Sequence, residues 1–258
     1  MLVRLQASSK KQIKKLEDER KNGELADAKA LQEKLLPKHN PKIDRLDIAT
    51  YLRTSTEVGG DYYDFFEQPD GSLYAICGDA TGHGTPSGML VSITKAGIIG
   101  LPQMEPNKML TALNSVVKKV DLGILRMSLN VAYLKGTELV LSSAGMPPYF
   151  IYRAESNTTE EIMISGVPLG SFNQVTFDQI KTTFKAGDIL AIISDGLAEA
   201  PNATGELFDY PRIQNIINEN SNMNSQALIE KLMSEADTWL AGKHNPDDIT
   251  IVIIKHNI

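Results

Sequence analysis

The sequence has few of the residues that mark several classes of protein. Cys77 is the single cysteine, so the chain cannot form an intramolecular disulfide, and this fits a reducing compartment. No apolar run is long enough to cross a bilayer, and the N-terminus is too polar for a signal peptide. Lys and Arg number 26 against 32 Asp and Glu, and the net charge of −6 argues against non-specific binding of nucleic acid. The sequence therefore predicts a cytoplasmic protein that binds no nucleic acid and makes no membrane contact through this segment.

The length of 258 residues and the apolar fraction of 42% predict one sizeable domain with an extension. Residues 1–36 are this extension, because they are rich in Lys, Glu, Gln and Ala and contain no aromatic residue. Ala28, Leu31 and Leu35 recur at helical spacing and predict an amphipathic helix. Two interpretations of Lys10–Gly23 stay open. We favour a solvated terminal helix; the alternative is a linker helix that pairs weakly with a second copy and connects to an upstream sensor domain.

Residues 37–258 have the composition of a packed domain. Apolar runs predict strands at Leu46–Arg53, Ser72–Cys77, Ser128–Leu134, Glu138–Ser142, Tyr149–Arg153, Val175–Phe184, Asp188–Ile193 and Ile249–Lys255. Helical spacing predicts helices at Pro86–Ile99, Pro106–Val120, Tyr210–Asn218 and Ser225–Leu240. Many strands joined by short turns predict antiparallel sheets with helices packed outside them.

Four acidic clusters lie beside glycine or other small residues. They are Gly59-Gly60-Asp61, Gly78-Asp79-Ala80-Thr81-Gly82-His83-Gly84, Ser194-Asp195-Gly196 and Asp247-Asp248-Ile249-Thr250. Three of them adjoin an apolar run, whereas the first follows polar residues. A single Asp-Gly after a strand is usually only a turn. Four clusters without cationic neighbours would repel one another, so together they predict a Mg²⁺ or Mn²⁺ site built from distant parts of the chain.

Other kinds of catalytic loop do not fit the sequence. The glycine-rich segment at residues 78–84 lacks the Gly-Lys-Ser or Gly-Lys-Thr of a phosphate-binding Walker loop, and its glycine order differs from the dinucleotide fingerprint. A thiol phosphatase would need an arginine shortly after its cysteine. Cys77 instead lies inside a strand-like run, so we expect it to be buried and inert.

The acidic clusters lie within motifs that resemble those of the SpoIIE/RsbU-type bacterial serine phosphatases, a branch of the PP2C (PPM) family. The similar segments occur in order over residues 28–255. They are Leu31–Pro37, Val58–Phe66, Gly78–Pro86, Ser143–Pro148, Gly166–Gly170, Ser194–Ala200 with Gly205–Phe208, and Asp247–Thr250. The resemblance implies an α+β fold, in which two antiparallel sheets pack face to face between helices as an αββα sandwich.

The resemblance also implies the roles of the site residues. Two Mn²⁺ or Mg²⁺ ions would be held by Asp61 and Asp79, with the backbone carbonyl of Ala80, and by Asp195 and Asp247. Asp248 is a further candidate ligand beside Asp247. The residue that binds phosphate and the acid that protonates the leaving group are not identified. Their candidates are Arg53 and Arg126 for the first role, and His83 and His244 for the second.

The implied activity is metal-dependent hydrolysis of phosphoserine or phosphothreonine on a partner protein. Metal ions would activate a water for direct attack on phosphorus, without a covalent phosphoenzyme. By family analogy the substrate is an anti-sigma-factor antagonist of the STAS type. Two alternatives stay open. One is a catalytically silent, phosphatase-like signalling scaffold, and the other is a hydrolase of small phosphate esters.

Overall fold

The protein folds as a four-layer sandwich of two sheets between two layers of helices. The computed structural model describes the backbone of residues 2–257 and the side chains of residues 12–257 other than 13, 18 and 22; Met1, the first residue of the predicted extension, and Ile258 lie outside the described residues. The strands are β1 (Leu46–Arg53), β2 (Asp61–Glu67), β3 (Leu73–Ala80), β4 (Met127–Lys135), β5 (Glu138–Ala144), β6 (Tyr149–Arg153), β7 (Thr158–Ile162), β8 (Gln179–Thr183), β9 (Ile189–Ile193) and β10 (Ile249–His256). The helices are α1 (Leu2–Glu33), α2 (Thr85–Gly100), α3 (Pro106–Val120), α4 (Asp195–Ala198), α5 (Tyr210–Glu219) and α6 (Ser225–Leu240).

The strands form two five-stranded sheets in which all neighbours run antiparallel. The first sheet has the order β1-β10-β9-β6-β7, and the second has the order β2-β3-β4-β5-β8. Side chains such as Leu141, Leu190 and Val252 fill the space between the sheets. Helices α5 and α6 cover the outer face of the first sheet, and α2 and α3 cover that of the second. The predicted α+β sandwich is therefore confirmed.

The central strands β9 and β10 carry continuous apolar runs because both faces of each strand are buried. All five residues of β9 and the first six of β10 are buried. A strand that is half exposed would alternate apolar and polar residues instead. These two strands were predictable for this reason, and they bring the third and fourth acidic clusters to adjacent positions in the first sheet.

Helix α1 is continuous through the Asn22-Gly23 pair. All the described side chains between residues 12 and 24 are exposed, as expected for a solvated helix. Beyond the helix, Leu35 and Leu36 pack against the core under the second sheet. Among the described residues, no helix combines the length and the apolar character that crossing a membrane requires.

Three elements were missed by the sequence prediction: β2, β7 and the short helix α4. Strand β2 begins with Asp61 and contains Asp64, so its composition does not look like that of a core strand. Strand β7 is short and mostly polar because it lies at the edge of the first sheet. The predicted strand Val175–Phe184 is shorter in the structure, where only β8 pairs with β5.

Candidate active site

The four acidic clusters come together at one end of the sandwich, where the two sheets meet. Asp61 begins β2 and Asp79 lies near the end of β3, and the two residues are paired across these strands. In the first sheet, Asp195 lies just after β9 and Asp247 just before β10. The hydroxyl of Ser194 donates to Asp61 Oδ2 over 2.7 Å and so connects the two sheets. The tertiary structure thus unites carboxylates that are far apart in the sequence.

Asp61 is the most enclosed of these carboxylates and is held by two hydroxyls. Its Oδ2 accepts hydrogen bonds from Ser194 Oγ at 2.7 Å and from Thr250 Oγ1 at 2.6 Å. Burial, and then the charge of Asp79, raise the pKa of Asp61 well above its ordinary value, although the two hydroxyls act in the opposite direction. Within the described part of the chain, Oδ1 of Asp61 has no hydrogen-bond donor, so this oxygen is available to a ligand.

Asp79 and Asp195 interact electrostatically across the junction of the sheets. Burial and the charges of Asp195 and Asp247 raise the pKa of Asp79 from 3.8 to about 7. Burial and the charges of Asp247 and Glu199 raise the pKa of Asp195 from 3.8 to about 6. Because each carboxylate makes ionisation of its neighbours harder, the site favours either a proton or another positive charge.

Backbone oxygens lie beside these side chains around Gly60. A Cβ atom at this position would lie 2.5 Å from the Ala80 carbonyl oxygen, 3.0 Å from Asp79 Oδ1 and 3.1 Å from the Gly82 carbonyl oxygen. Only glycine fits here, because the three oxygens leave no room for a Cβ atom. The predicted carbonyl of Ala80 therefore lies in the same small region as the carboxylate of Asp79.

Asp248 has a different environment, since both of its carboxylate oxygens are already hydrogen bonded. Oδ1 accepts from the backbone N–H of Ser55 at 2.6 Å and from its hydroxyl at 3.0 Å. Oδ2 accepts from the N–H of Gly60 at 2.7 Å and contacts the N–H of Asp61 at 3.4 Å. A Cβ atom at Gly59 would collide with Oδ2 of Asp248. Asp248 thus holds the loop between β1 and β2 in place.

The available ligands are all oxygens, which suits a hard divalent cation. Within the described residues, no Lys, Arg or His forms an ion pair with Asp61, Asp79, Asp195 or Asp247. The described His, Cys, Asp and Glu side chains also include no group of three that is already close enough to enclose a metal ion. The donor chemistry and the uncompensated charge therefore fit a cation.

Comparison with known families identifies the chain. The sequence profile of the family described as Stage II sporulation protein E (SpoIIE) matches residues 69–257, which is most of the chain. The chain belongs to the SpoIIE family. Phosphoserine phosphatase RsbU of Bacillus subtilis is 26% identical over 239 residues, which cover 91% of this chain and 70% of RsbU. Stage II sporulation protein E of B. subtilis is 24% identical over 213 residues, and the match spans only 24% of that longer protein.

Solved structures with the same fold include a PP2C domain and RsbX. The SiaA-PP2C domain of Pseudomonas aeruginosa superposes with a TM-score of 0.82 at 17% identity, covering 93% of this chain and 98% of that domain. RsbX, whose structure was determined in complex with magnesium, gives a TM-score of 0.65 at 13% identity, covering 84% of this chain and 98% of RsbX. The classification as a protein serine/threonine phosphatase domain of the SpoIIE/RsbU type is therefore confirmed at the level of family and fold.

Several residues that organise this SpoIIE-family site received no role from the sequence. Gln32 at the end of α1 donates to the Gly59 carbonyl at 2.7 Å and accepts from the Gly59 N–H at 3.1 Å. Asn245 donates to the carbonyls of Gly196 and Asp247 at 2.9 and 2.8 Å and ties the two loops together. Ser194 and Thr250 were visible as parts of their motifs, but only their contacts with Asp61 reveal what they do.

The other candidate residues have distinct environments. Cys77 is buried, as expected, and burial with the charges of nearby carboxylates raises the pKa of its thiol. Arg126 donates to the carbonyls of Gly123 and Leu125 in its own loop. His83 is exposed. Arg53, in contrast, lines a cavity that also contains Asp247.

Asp64 and Glu199, two further acidic residues near the site motifs, have different environments. Asp64 is buried and pairs with Lys95 Nζ of α2 at 2.6 Å, and it also accepts from the Tyr62 hydroxyl at 2.6 Å. Asp64 therefore fastens α2 to the second sheet. Glu199 is exposed at the end of α4, where its charge contributes to the raised pKa of Asp195.

Proposed function

We propose that this chain hydrolyses phosphoserine or phosphothreonine on a partner protein with the help of two divalent cations, Mn²⁺ or Mg²⁺. The observation that carries the proposal is the convergence of Asp61 and Asp79 from one sheet with Asp195 and Asp247 from the other, where the charges of Asp195 and Asp247 raise the pKa of Asp79. Such coupling is costly unless a positive charge relieves it. The magnesium bound to the structural neighbour RsbX supports a divalent cation as that charge.

The ligands would come from both sheets. Asp61 Oδ1, Asp79 and the Ala80 carbonyl would supply oxygens from the second sheet, and Asp195 and Asp247 would supply them from the first. Asp248 would act as a positioning residue, since its oxygens are taken by N–H groups of the loop before β2. Ser194 and Thr250 would keep Asp61 Oδ2 fixed, so that Oδ1 faces the ligand.

The chemistry follows from this arrangement. Divalent cations, when bound, lower the pKa of a coordinated water and neutralise charge on phosphoryl oxygens. The carboxylates of the site orient the reacting groups and keep the region negatively charged until cations bind. Cys77 takes no part, because its thiol is buried and the deprotonated form that a nucleophile needs is disfavoured. Attack by water therefore leaves no phosphorylated enzyme.

The substrate we propose is a phosphorylated signalling protein, with a STAS-type anti-sigma-factor antagonist as the first choice. RsbU and RsbP, both called phosphoserine phosphatases, are similar to the chain over 91% and 82% of its length. The structural neighbours include a protein of Mycobacterium tuberculosis that combines RsbU and RsbW domains, with a TM-score of 0.67 at 22% identity. The single cysteine supports a reducing compartment such as the cytoplasm.

The test is phosphate release from a phosphorylated STAS-domain protein and from a small aryl phosphate, with Mn²⁺, with Mg²⁺ and with EDTA. We expect hydrolysis of the phosphoprotein that stops in EDTA and returns with Mn²⁺. Full activity in EDTA, with metal loss verified, would falsify the metal mechanism. Hydrolysis of the small ester alone would favour a small-ester hydrolase, and loss of both reactions in the metal-loaded protein would favour a silent scaffold.

A further inference from the structure

A polar cavity of about 300 Å³ lies beside the carboxylate site, at the same end of the β1–β10 pair. Its walls come from the end of β1 and from the loop between α6 and β10. Arg53 is the last residue of β1 and pairs with Ile249, the first residue of β10. It therefore lies next to Asp247 and Asp248, which directly precede β10. The cavity therefore continues the candidate active site on the Asp247 side.

The lining of this cavity combines two basic side chains and a histidine with a single carboxylate, in a chain whose net charge is −6. Arg53 and Lys243 contribute positive charges, and His244 lines the same space. Asp247 is the acidic residue of the lining, and in the proposed function its charge is shared with a metal ion. Lys243 Nζ also contacts the backbone carbonyl oxygens of Asn202 and Ala203 at 3.4 Å, so it lies at the rim of the cavity. Arg53 is therefore the main basic group of the lining.

Arg53 also has hydrogen-bonding capacity that the fold leaves unused. Its Nη1 donates to Asp237 Oδ1 of α6 at 2.6 Å, which fixes the guanidinium in place. Its Nη2 is buried and has no acceptor in the described structure. Buried donors are seldom left unpaired, and a guanidinium prefers a planar anion that can accept two hydrogen bonds. A carboxylate is such an anion.

The position of the cavity indicates which part of a substrate would enter it. Of the carboxylates in the site, Asp247 lines the cavity, whereas Asp61, Asp79 and Asp195 do not. The phosphoryl group must reach the point where all of these residues converge, so the cavity receives a group next to the phosphoserine. The volume suits an amino-acid side chain with part of its backbone.

We propose that Arg53, Lys243 and His244 form a subsite for an acidic side chain that flanks the phosphorylated residue of the substrate protein. The inference rests on the proposed phosphatase function and deepens it by naming a specificity determinant. Arg53 would bind the Asp or Glu carboxylate, and Lys243 would strengthen the attraction from the rim. The subsite would favour substrates in which a negative charge lies close to the phosphoserine.

The test measures binding separately from turnover. The probes are synthetic peptides with a hydrolysis-resistant phosphonate in place of phosphoserine. One Glu is placed at each position within about three residues on either side, because an extended chain spans about 3.5 Å per residue. The matched control peptides carry Gln. Dissociation constants in Mn²⁺ are compared for the wild type, Arg53→Gln and Lys243→Gln. The control variant, Lys135→Gln, removes an exposed charge at the far end of β4.

At one position in the peptide, we expect the Glu peptide to bind the wild type about tenfold more tightly than the matched Gln peptide, as a charge-assisted hydrogen bond would give. The control variant Lys135→Gln should show the same preference. Arg53→Gln should remove this preference, and Lys243→Gln should reduce it. Equal binding of Glu and Gln peptides by the wild type would overturn the subsite. So would an Arg53→Gln variant that weakens both peptides equally, because Arg53 would then bind the phosphoryl group or support the fold.

Hydrolysis of a small aryl phosphate by the same wild-type preparation, with Mn²⁺ and with EDTA, separates this proposal from the phosphatase function. If neither the ester nor the phosphoprotein is hydrolysed, the proposed phosphatase function is wrong. The binding preference for Glu over Gln peptides still tests whether the subsite exists. If both are hydrolysed and no Glu preference exists, only the subsite fails. Lys243→Gln serves as the second variant, since it leaves the ion pair between Arg53 and Asp237 intact.

Discussion

Burial and neighbouring carboxylates raise the pKa values of Asp79 and Asp195, and substitutions there test the site directly. Asp79→Asn and Asp195→Asn each remove a charge with little change in volume. We expect each variant to lose nearly all turnover of a phosphoprotein while keeping a native circular dichroism spectrum. The matched control is Asp178→Asn, because Asp178 is exposed just before β8 and forms no ion pair in the described structure. Near-wild-type turnover in either site variant would mean that the site is misplaced.

Cys77 provides the residue-scale test of a thiol mechanism. Its side chain lies in the core between the sheets, and burial raises the pKa of the thiol. We expect Cys77→Ala to keep metal-dependent turnover and to lower the free energy of unfolding by about 1 kcal/mol, a typical cost for a small core change. Chemical denaturation and phosphate release measure the two effects. Complete loss of turnover in a folded, metal-loaded Cys77→Ala protein would indicate that the thiol takes part in catalysis.

At the scale of elements, α1 consists of two parts with different environments. Described side chains between residues 12 and 24 are exposed. Near its end, Gln32 binds both backbone groups of Gly59, two residues before Asp61. An apolar groove of about 350 Å³ also lies between the end of α1 and α2, with Leu31 and Met89 on its walls. We therefore propose that the domain itself needs the last turns of α1, while the first part remains a linker.

Deletion of residues 1–24 tests this division. We expect the shortened chain to fold and to bind Mn²⁺ like the full chain, because the removed side chains that are described have little packing to lose. Any self-association of the full chain, which we expect to be weak, should decrease. Sedimentation and phosphatase assays on both chains provide the comparison. If the shortened chain fails to fold, α1 belongs to the core and the linker interpretation is wrong.

For the whole molecule, the acidic site makes the stability of the metal-free protein depend on pH. The pKa values of Asp79 and Asp195 rise from 3.8 in the unfolded chain to about 7 and about 6 in the fold. A carboxyl group whose pKa is raised by folding stabilises the fold at low pH, and this contribution disappears as pH rises through the folded value. The metal-free protein should therefore lose stability from these groups between about pH 4 and pH 7.

Thermal unfolding in EDTA at about pH 5 and about pH 8 isolates this effect when the wild type is compared with Asp79→Asn. We expect Asp79→Asn to have the higher melting temperature at the higher pH, and the difference to shrink at the lower pH. Adding Mn²⁺ should raise the melting temperature of the wild type more than that of the variant. If Asp79→Asn is no more stable than the wild type at the higher pH in EDTA, the carboxylates do not repel one another as described.

Much of the site was predictable because its elements carry local signals. Ile189–Ile193 and Ile251–Ile254 are continuously apolar, since both faces of β9 and β10 are buried. Those strands could be placed from the sequence within a residue or two, and the acidic residues at their ends with them. Strand β2 could not be placed from the sequence, because its first residue is a buried Asp whose hydrogen-bond partners are distant in sequence. Its polar composition reflects the site rather than the core.

The sequence by itself determined the motifs, the ligand types and the family, because these depend on residue identity and order. Only the tertiary structure decided which carboxylates remain free. Asp247 and Asp248 are neighbours in sequence, yet Asp248 is bound by the N–H groups of Ser55 and Gly60 while Asp247 faces the cavity with Arg53. Ser55 and Asp248 are 193 residues apart, so no local pattern encodes their contact. Pairing of β1 with β10 creates that contact, and the same pairing places the cavity lined by Arg53 and Lys243 beside the acidic site.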